Sequence, residues 1–122
     1  MPRVIHFEVH ADDPERVARF YTEAFGWEIK KSEGPTGYWL VTTGEANQPG
    51  INGGIMKRTG PATGTVNIIS VPSVDGYAAR AGKNGGKVLT PKITMPGVGY
   101  LIYCQDIEGI TFGLMQDDAS AK

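Results

Sequence analysis

Sliding the sequence against itself by about sixty residues brings its two halves into register, and this internal repeat constrains the fold more than any other feature. His6-Phe-Glu-Val-His-Ala11 falls on Val66-Asn-Ile-Ile-Ser-Val71. Asp13 falls on Ser73, both good helix caps, Val17 on Tyr77, Ala18 on Ala78 and Gly26 on Gly86. With small slips from unequal loops, Gly37-Tyr38 corresponds to Gly99-Tyr100 and Gly54-Ile-Met-Lys57 to Gly113-Leu-Met-Gln116. Chance matching is the competing explanation in a chain with 17 glycines, and capping residues at equivalent places argue against it.

Each half reads strand, helix, strand, strand, strand. Strands are expected near 4 to 10, 27 to 31, 38 to 43, 53 to 58, 65 to 71, 87 to 92, 98 to 104 and 111 to 116. The first helix runs from Pro14 to Phe25, with Asp13 as cap, proline in the first turn and Gly26 closing it in the left-handed conformation. Val17, Phe20, Tyr21 and Ala24 form its apolar stripe. The second helix, about Val74 to Lys83, is weaker because Gly76 and Gly82 lie inside it.

At 122 residues the chain suits one domain, 1–122, made of modules at about 1–60 and 61–122. Twelve basic residues against thirteen acidic ones leave a net charge of -1, which offers no field to attract nucleic acid or an anionic membrane. No stretch approaches the roughly 20 apolar residues that span a bilayer, and no signal segment follows Met1, so the expected setting is the cytoplasm. The lone Cys104 lies in an apolar run and reads as a buried packing thiol. Phosphate-cradling glycine motifs and a hydrolase Gly-x-Ser-x-Gly elbow are absent from the sequence.

On the first strand Ile5, Phe7 and Val9 form one row, so His6, Glu8 and His10 point to the other side. Alternate strand residues stand about 7 Å apart, so neighbours in the row of His6, Glu8 and His10 are close enough to share a metal. His6 and Glu8 are also spaced to act as a general acid/base pair, with the carboxylate raising the imidazole pKa. A third reading is simply the wet side of a sheet, and the alternation alone leaves all three open.

The paired modules, opening with "HFEVHADDPERVARFYTEAFGW" and closing with "DIEGITFGLM", resemble the vicinal oxygen chelate superfamily, which includes glyoxalase I, bleomycin-resistance proteins and extradiol dioxygenases. The likeness covers nearly the whole chain. Its specific pieces are Asp13 followed by Phe20-Tyr21, the Asn84-Gly85-Gly86 turn and the Asp106-x-x-Gly109 turn. "PGINGGIMKR" looks like a bacterial branch labelled predicted enzymes related to lactoylglutathione lyase. The resemblance implies an α+β fold, two βαβββ modules forming a curled eight-stranded sheet around a concave cleft. It also implies a homodimer and a small-molecule ligand.

Metal-dependent relatives take one ligand from the first strand and one carboxylate from the last strand of each module. Those places are His6 and Val66, Gly54 and Gly113, and only the histidine has a donor atom. The expectation is therefore no bound metal and no cofactor. His6 and Glu8 are the candidate catalytic residues. His10, Gly54, Met56, Arg58, Val66, Ile68, Ser70, Gly113 and Met115 are the candidate ligand-binding row. Trp27, Trp39, Tyr38, Tyr100 and Tyr103 are expected to pack against helices or a partner, with one or two flanking the cleft. The loop at 42–54 has the composition of an exposed linker or a lid. Three functions stay open: a metal-free protein that sequesters or transforms a small molecule, a metal-dependent lyase, isomerase or dioxygenase, and a scaffold with a vestigial cleft.

Overall fold

A computed structural model describes residues 1–32, 37–60 and 64–122. The chain divides into two compact units, one formed by His6–Val66 and the other by Met1–Ile5 with Asn67–Lys122. The expected module boundary, at about 60/61, abuts residues outside those described. Their class is α+β, as expected, with strands and a single helix among the described residues of each.

The first unit contains most of β1 (Arg3–Ala11), then α1 (Pro14–Phe25), β2 (Glu28–Lys31), β3 (Trp39–Thr42) and β4 (Asn52–Lys57). Its strands run in the order β2-β3-β4-β1, antiparallel except for the parallel pairing of β1 with β4. Helix α1 starts and stops where its sequence signals fall. Asp13 Oδ1 accepts the Arg16 N–H at 3.2 Å, and Gly26 closes the helix at φ 72°. Ala18, Val41 and Ile55 form the buried centre, with Phe7, Val9, Trp27 and Trp39 packed against it. Removing one such aliphatic side chain from water contributes about 1.5–3 kcal/mol. The expected stripe on α1 is only partly buried. Ala18 takes its centre, Val17 and Tyr21 are half-buried, and Phe20 and Ala24 are exposed.

The second unit holds most of β5 (Gly64–Ser70), then α2 (Val74–Lys83), β6 (Lys87–Val88), β7 (Ile93–Met95), β8 (Gly99–Gln105) and β9 (Thr111–Asp117). Its order is β5-β9-β8-β6, with β7 also paired to β8, and β5 runs parallel to β9. Val71, Val74, Ala78, Ile102, Cys104 and Leu114 form its core under α2. Ser73 Oγ accepts the Gly76 N–H at 3.0 Å, and Gln116 Oε1 accepts the Val74 N–H at 3.1 Å, so the helix start is tied down despite its glycines.

The described residues contain nine strands where eight were expected. Of the strand expected at 87 to 92 only Lys87–Val88 forms, as β6, and β7 at Ile93–Met95 begins beyond its expected end. Both pair with β8, but their registers differ by two residues, Lys87 facing Gln105 and Ile93 facing Leu101. Pro91, which has no N–H to give a ladder, lies in the slip, and Thr90 Oγ1 accepts the Tyr103 N–H at 3.1 Å in place of a backbone carbonyl.

The repeat is visible residue by residue inside each unit. Glu8 faces Gly54 across β1 and β4, and Ile68 faces Gly113 across β5 and β9, the pairs that the internal repeat relates.

Candidate functional site

Strand alternation sorts β1 as its sequence implies. Phe7, Val9 and Ala11 turn toward α1 and its core, which leaves His6, Glu8 and His10 on the opposite face. Neighbouring strands extend that face. Gly54 lies beside Glu8, Met56 beside His10, and Leu40 beside Gly54 on the far side. Two adjacent glycines serve the two faces of β4: a Cβ on Gly53 would strike Phe7, and one on Gly54 would run into the ring and hydroxyl of Tyr38.

The polar row resolves into two hydrogen-bonded pairs. Nε2 of His6 lies 2.9 Å from the Tyr38 hydroxyl. Nε2 of His10 lies 3.1 Å from Oε1 of Glu8, and both side chains are buried, 8% and 7% exposed. An ionised carboxylate only accepts, so the His10 nitrogen carries the hydrogen in that bond. The expected His6 and Glu8 pair is therefore not hydrogen-bonded; each member has another partner.

The electrostatics also depart from the expectation that Glu8 raises the His6 pKa. Burial pushes the His6 imidazole below its ordinary 6.5, and the Glu8 charge opposes this without overcoming it. The ring is neutral at pH 7 and either donates to or accepts from Tyr38. Burial first, and the nearby Glu8 charge second, push the Tyr38 phenol well above its ordinary 10, so it keeps its proton. The face thus offers two neutral hydrogen-bonding groups beside a buried imidazole and carboxylate in contact.

The other candidates fall in three places. Met56 is half-buried on the same face of the first unit, and Val66 is buried. Ile68, Ser70, Gly113 and Met115 lie in the second unit on the side of the sheet away from α2, since Ile69, Val71, Phe112 and Leu114 take the α2 side. Arg58 lies beyond the end of β4 and is exposed, with Nη2 2.8 Å from Asp12 Oδ1, so it is a tied strand end rather than part of the row. Of the expected aromatics, Trp27 and Trp39 pack in the first core and Tyr100 against the second. The loop after β3 is closed at its base, where Asn52 Oδ1 accepts the Thr43 N–H at 2.9 Å.

Tyr38 is the residue that sequence reasoning placed only generally, among aromatics expected to pack or flank. The sequence carried only part of the signal: Gly54 leaves room for one large neighbour, but that Tyr38 fills it follows from the pairing of Leu40 with Gly54.

The donors do not make a metal shell. Among the described residues no group of three or more His, Cys, Asp or Glu side chains converges to hold an ion. At the four places expected from the resemblance, Val66 has no donor atom and Gly54 and Gly113 have no side chain. A Cβ on Gly113 would meet Ile68 Cδ1 at 2.5 Å, so that space too is filled.

An open groove of about 530 Å³ lies in the first unit between the end of β1 and α1, bordered by Val9, Ala11, Arg16, Val17, Phe20 and Tyr21, and His10 of the polar row also lines it. Val9 and Ala11 belong to the helix side of β1, away from His6 and Glu8.

Several solved structures share this fold. Methylmalonyl-CoA epimerase in complex with methylmalonyl-CoA and NH4+ matches at a TM-score of 0.69, covering 100% of this chain and 99% of that one at 16% identity. A variant of the Streptomyces coelicolor methylmalonyl-CoA epimerase in complex with 2-nitronate-propionyl-CoA gives 0.68, with 98% and 97% covered at 16% identity. The NAD-dependent benzaldehyde dehydrogenase from Legionella pneumophila gives 0.65, with 93% and 98% covered at 16% identity. The chain shares the glyoxalase-like α+β fold of these neighbours, the fold that its sequence resemblance implied. More particularly, residues 3–44 match the family described as bleomycin resistance protein-like N-terminal. No curated protein is significantly similar to the chain in sequence. A fold shared by proteins bearing such different names does not specify the reaction.

Proposed function

We propose that the chain binds a small organic molecule on the polar face of β1 and β4 without a divalent metal, and that Glu8 and His10 are its proton-transfer pair. The observation that carries this reading is the buried contact between His10 Nε2 and Glu8 Oε1 at 3.1 Å. Burying a carboxylate and an imidazole together costs desolvation that an apolar pair would avoid, and such pairs cluster where proton chemistry needs them. Their repeat counterparts are Ile68 and Ser70, so the fold itself does not require the pair. The carboxylate would orient the imidazole and stabilise it once protonated, while neutral His6 and Tyr38 hydrogen-bond an oxygen of the ligand.

The donor set supports the metal-free part of the reading: among the described residues no three His, Cys, Asp or Glu side chains converge, and fewer than three protein ligands make a weak site. Complexes of the structural neighbours with methylmalonyl-CoA and 2-nitronate-propionyl-CoA support small-molecule binding by this fold. In this reading the protein works in the cytoplasm as a homodimer. The exposed Phe20 and Phe25 on α1, 58% and 64% accessible, support burial against a second copy. None of the described helices is long and apolar enough to cross a membrane.

The test begins with elemental analysis of protein purified without chelator, followed by a thermal-shift screen of small carbonyl compounds and acids. We expect no stoichiometric divalent ion, and at least one compound whose stabilisation disappears in Glu8→Gln and His10→Ala. A ligand present at a hundred times its Kd stabilises by about 2.7 kcal/mol, well within reach of the method. Turnover lost in the same variants marks an enzyme, and recovery of the compound unchanged marks a binding protein. A retained ion that His6→Ala removes, or a screen with no response at all, overturns the reading.

A further inference from the structure

This inference rests on the metal-free reading and names the residue responsible for it. Three observations in the first unit meet at one point. Nε2 of His6 is engaged by the Tyr38 hydroxyl at 2.9 Å. The Tyr38 ring and hydroxyl fill the space into which a side chain at position 54 would project. Gly54 is the direct cross-strand neighbour of Glu8, so the phenol stands over the floor of the polar row.

We infer that Tyr38 is the positioning residue that takes the place of a metal and its carboxylate ligand. It fills the volume over Gly54, occupies Nε2 of His6, and presents a hydroxyl where a metal would present positive charge. Burial and the Glu8 charge both favour the protonated phenol, which agrees with a role as a neutral donor. A phenol here and a glycine opposite are therefore one device: either alone is sterically or chemically incomplete. A longer residue at 54 collides with Tyr38, and a smaller one at 38 leaves both a void over Gly54 and an unengaged His6.

Two measurements test the assignment on the full chain. The first is a thermal double-mutant cycle with Tyr38→Ala and Gly54→Ala. Overpacking by Gly54→Ala should lower the melting temperature by about 5 °C or more in the native background and by much less when Tyr38 is already alanine. If Gly54→Ala alone yields no folded protein but the double variant folds, that rescue is the same result in stronger form. Equal cost in both backgrounds, or failure to fold in both, overturns the assignment. The second is the ring ¹⁵N spectrum of His6 in Tyr38→Phe, which keeps the packing and removes the hydroxyl. The His6 signals should move while the Gly54→Ala cost persists; unmoved signals make Tyr38 a packing residue only and sink the proposal.

Calorimetric titration of the native protein with Mn²⁺, Ni²⁺ and Zn²⁺ separates this failure from that of the underlying reading. A cation bound at one per chain and lost in His6→Ala refutes the metal-free reading itself, whatever the cycle shows. No such binding with an additive cycle refutes the role of Tyr38 alone.

Discussion

His6 and Glu8 lie two residues apart on one face of β1, yet burial and hydrogen bonding give them different fates. Glu8 takes His10 as its partner, and His6 takes Tyr38. The lowered pKa of His6 has a stability consequence whose sign is definite. Its folded imidazole binds a proton less readily than the unfolded chain does, so the stabilisation is complete above the ordinary 6.5 and is lost as pH falls through the depressed value. Urea unfolding between about pH 7.5 and 5 should show stability declining on acidification, with a smaller decline in His6→Gln. Equal slopes in the two proteins would contradict the buried, neutral ring. Strand alternation alone was enough to put His6, Glu8 and His10 on one side. The partner of each was not legible, because it depends on β3 and β4 bringing Tyr38 and Gly54 to the same point, and sequence spacing carries no distance between strands.

Elements whose signals are local were readable; those whose limits come from a neighbour were not. Helix α1 has its bounds in Asp13 and Gly26, both of which act on their own turn of backbone. Asp13→Ala should cost about 1 kcal/mol in chemical denaturation, as loss of one capped N–H does elsewhere. A cost near zero would mean that packing against β2 and β4, rather than the cap, holds the helix start. The strand expected at 87 to 92 fared differently. Its residues favour extended backbone, but pairing is decided by β8, and the two-residue register slip around Pro91 ends β6 at Val88 and resumes pairing only at Ile93, past the expected end. The apolar stripe of α1 was likewise only half correct. Periodicity identified the side, while the position of β4 chose Ala18 over Phe20 for the tightest contact.

Across the molecule, the repeat has been kept in backbone and abandoned in chemistry. Glu8 and Ile68 occupy equivalent places facing equivalent glycines, one polar and one apolar. Ile68 is 1% exposed, so Ile68→Glu would bury a carboxylate without the histidine that Glu8 has, and should cost at least about 3 kcal/mol or prevent folding. A mild loss in the same denaturation assay would show that the second unit tolerates a charge there. The sequence by itself determined the duplicated α+β plan, both helices, the polar side of the first strand and the absence of donors at Val66, Gly54 and Gly113, because periodicity, capping and missing side chains are properties of the chain. Only the tertiary structure decided that His10 rather than His6 pairs with Glu8, and that Tyr38 fills the space over Gly54. Those choices depend on distances across strands and on desolvation, and both exist only once the sheet has formed.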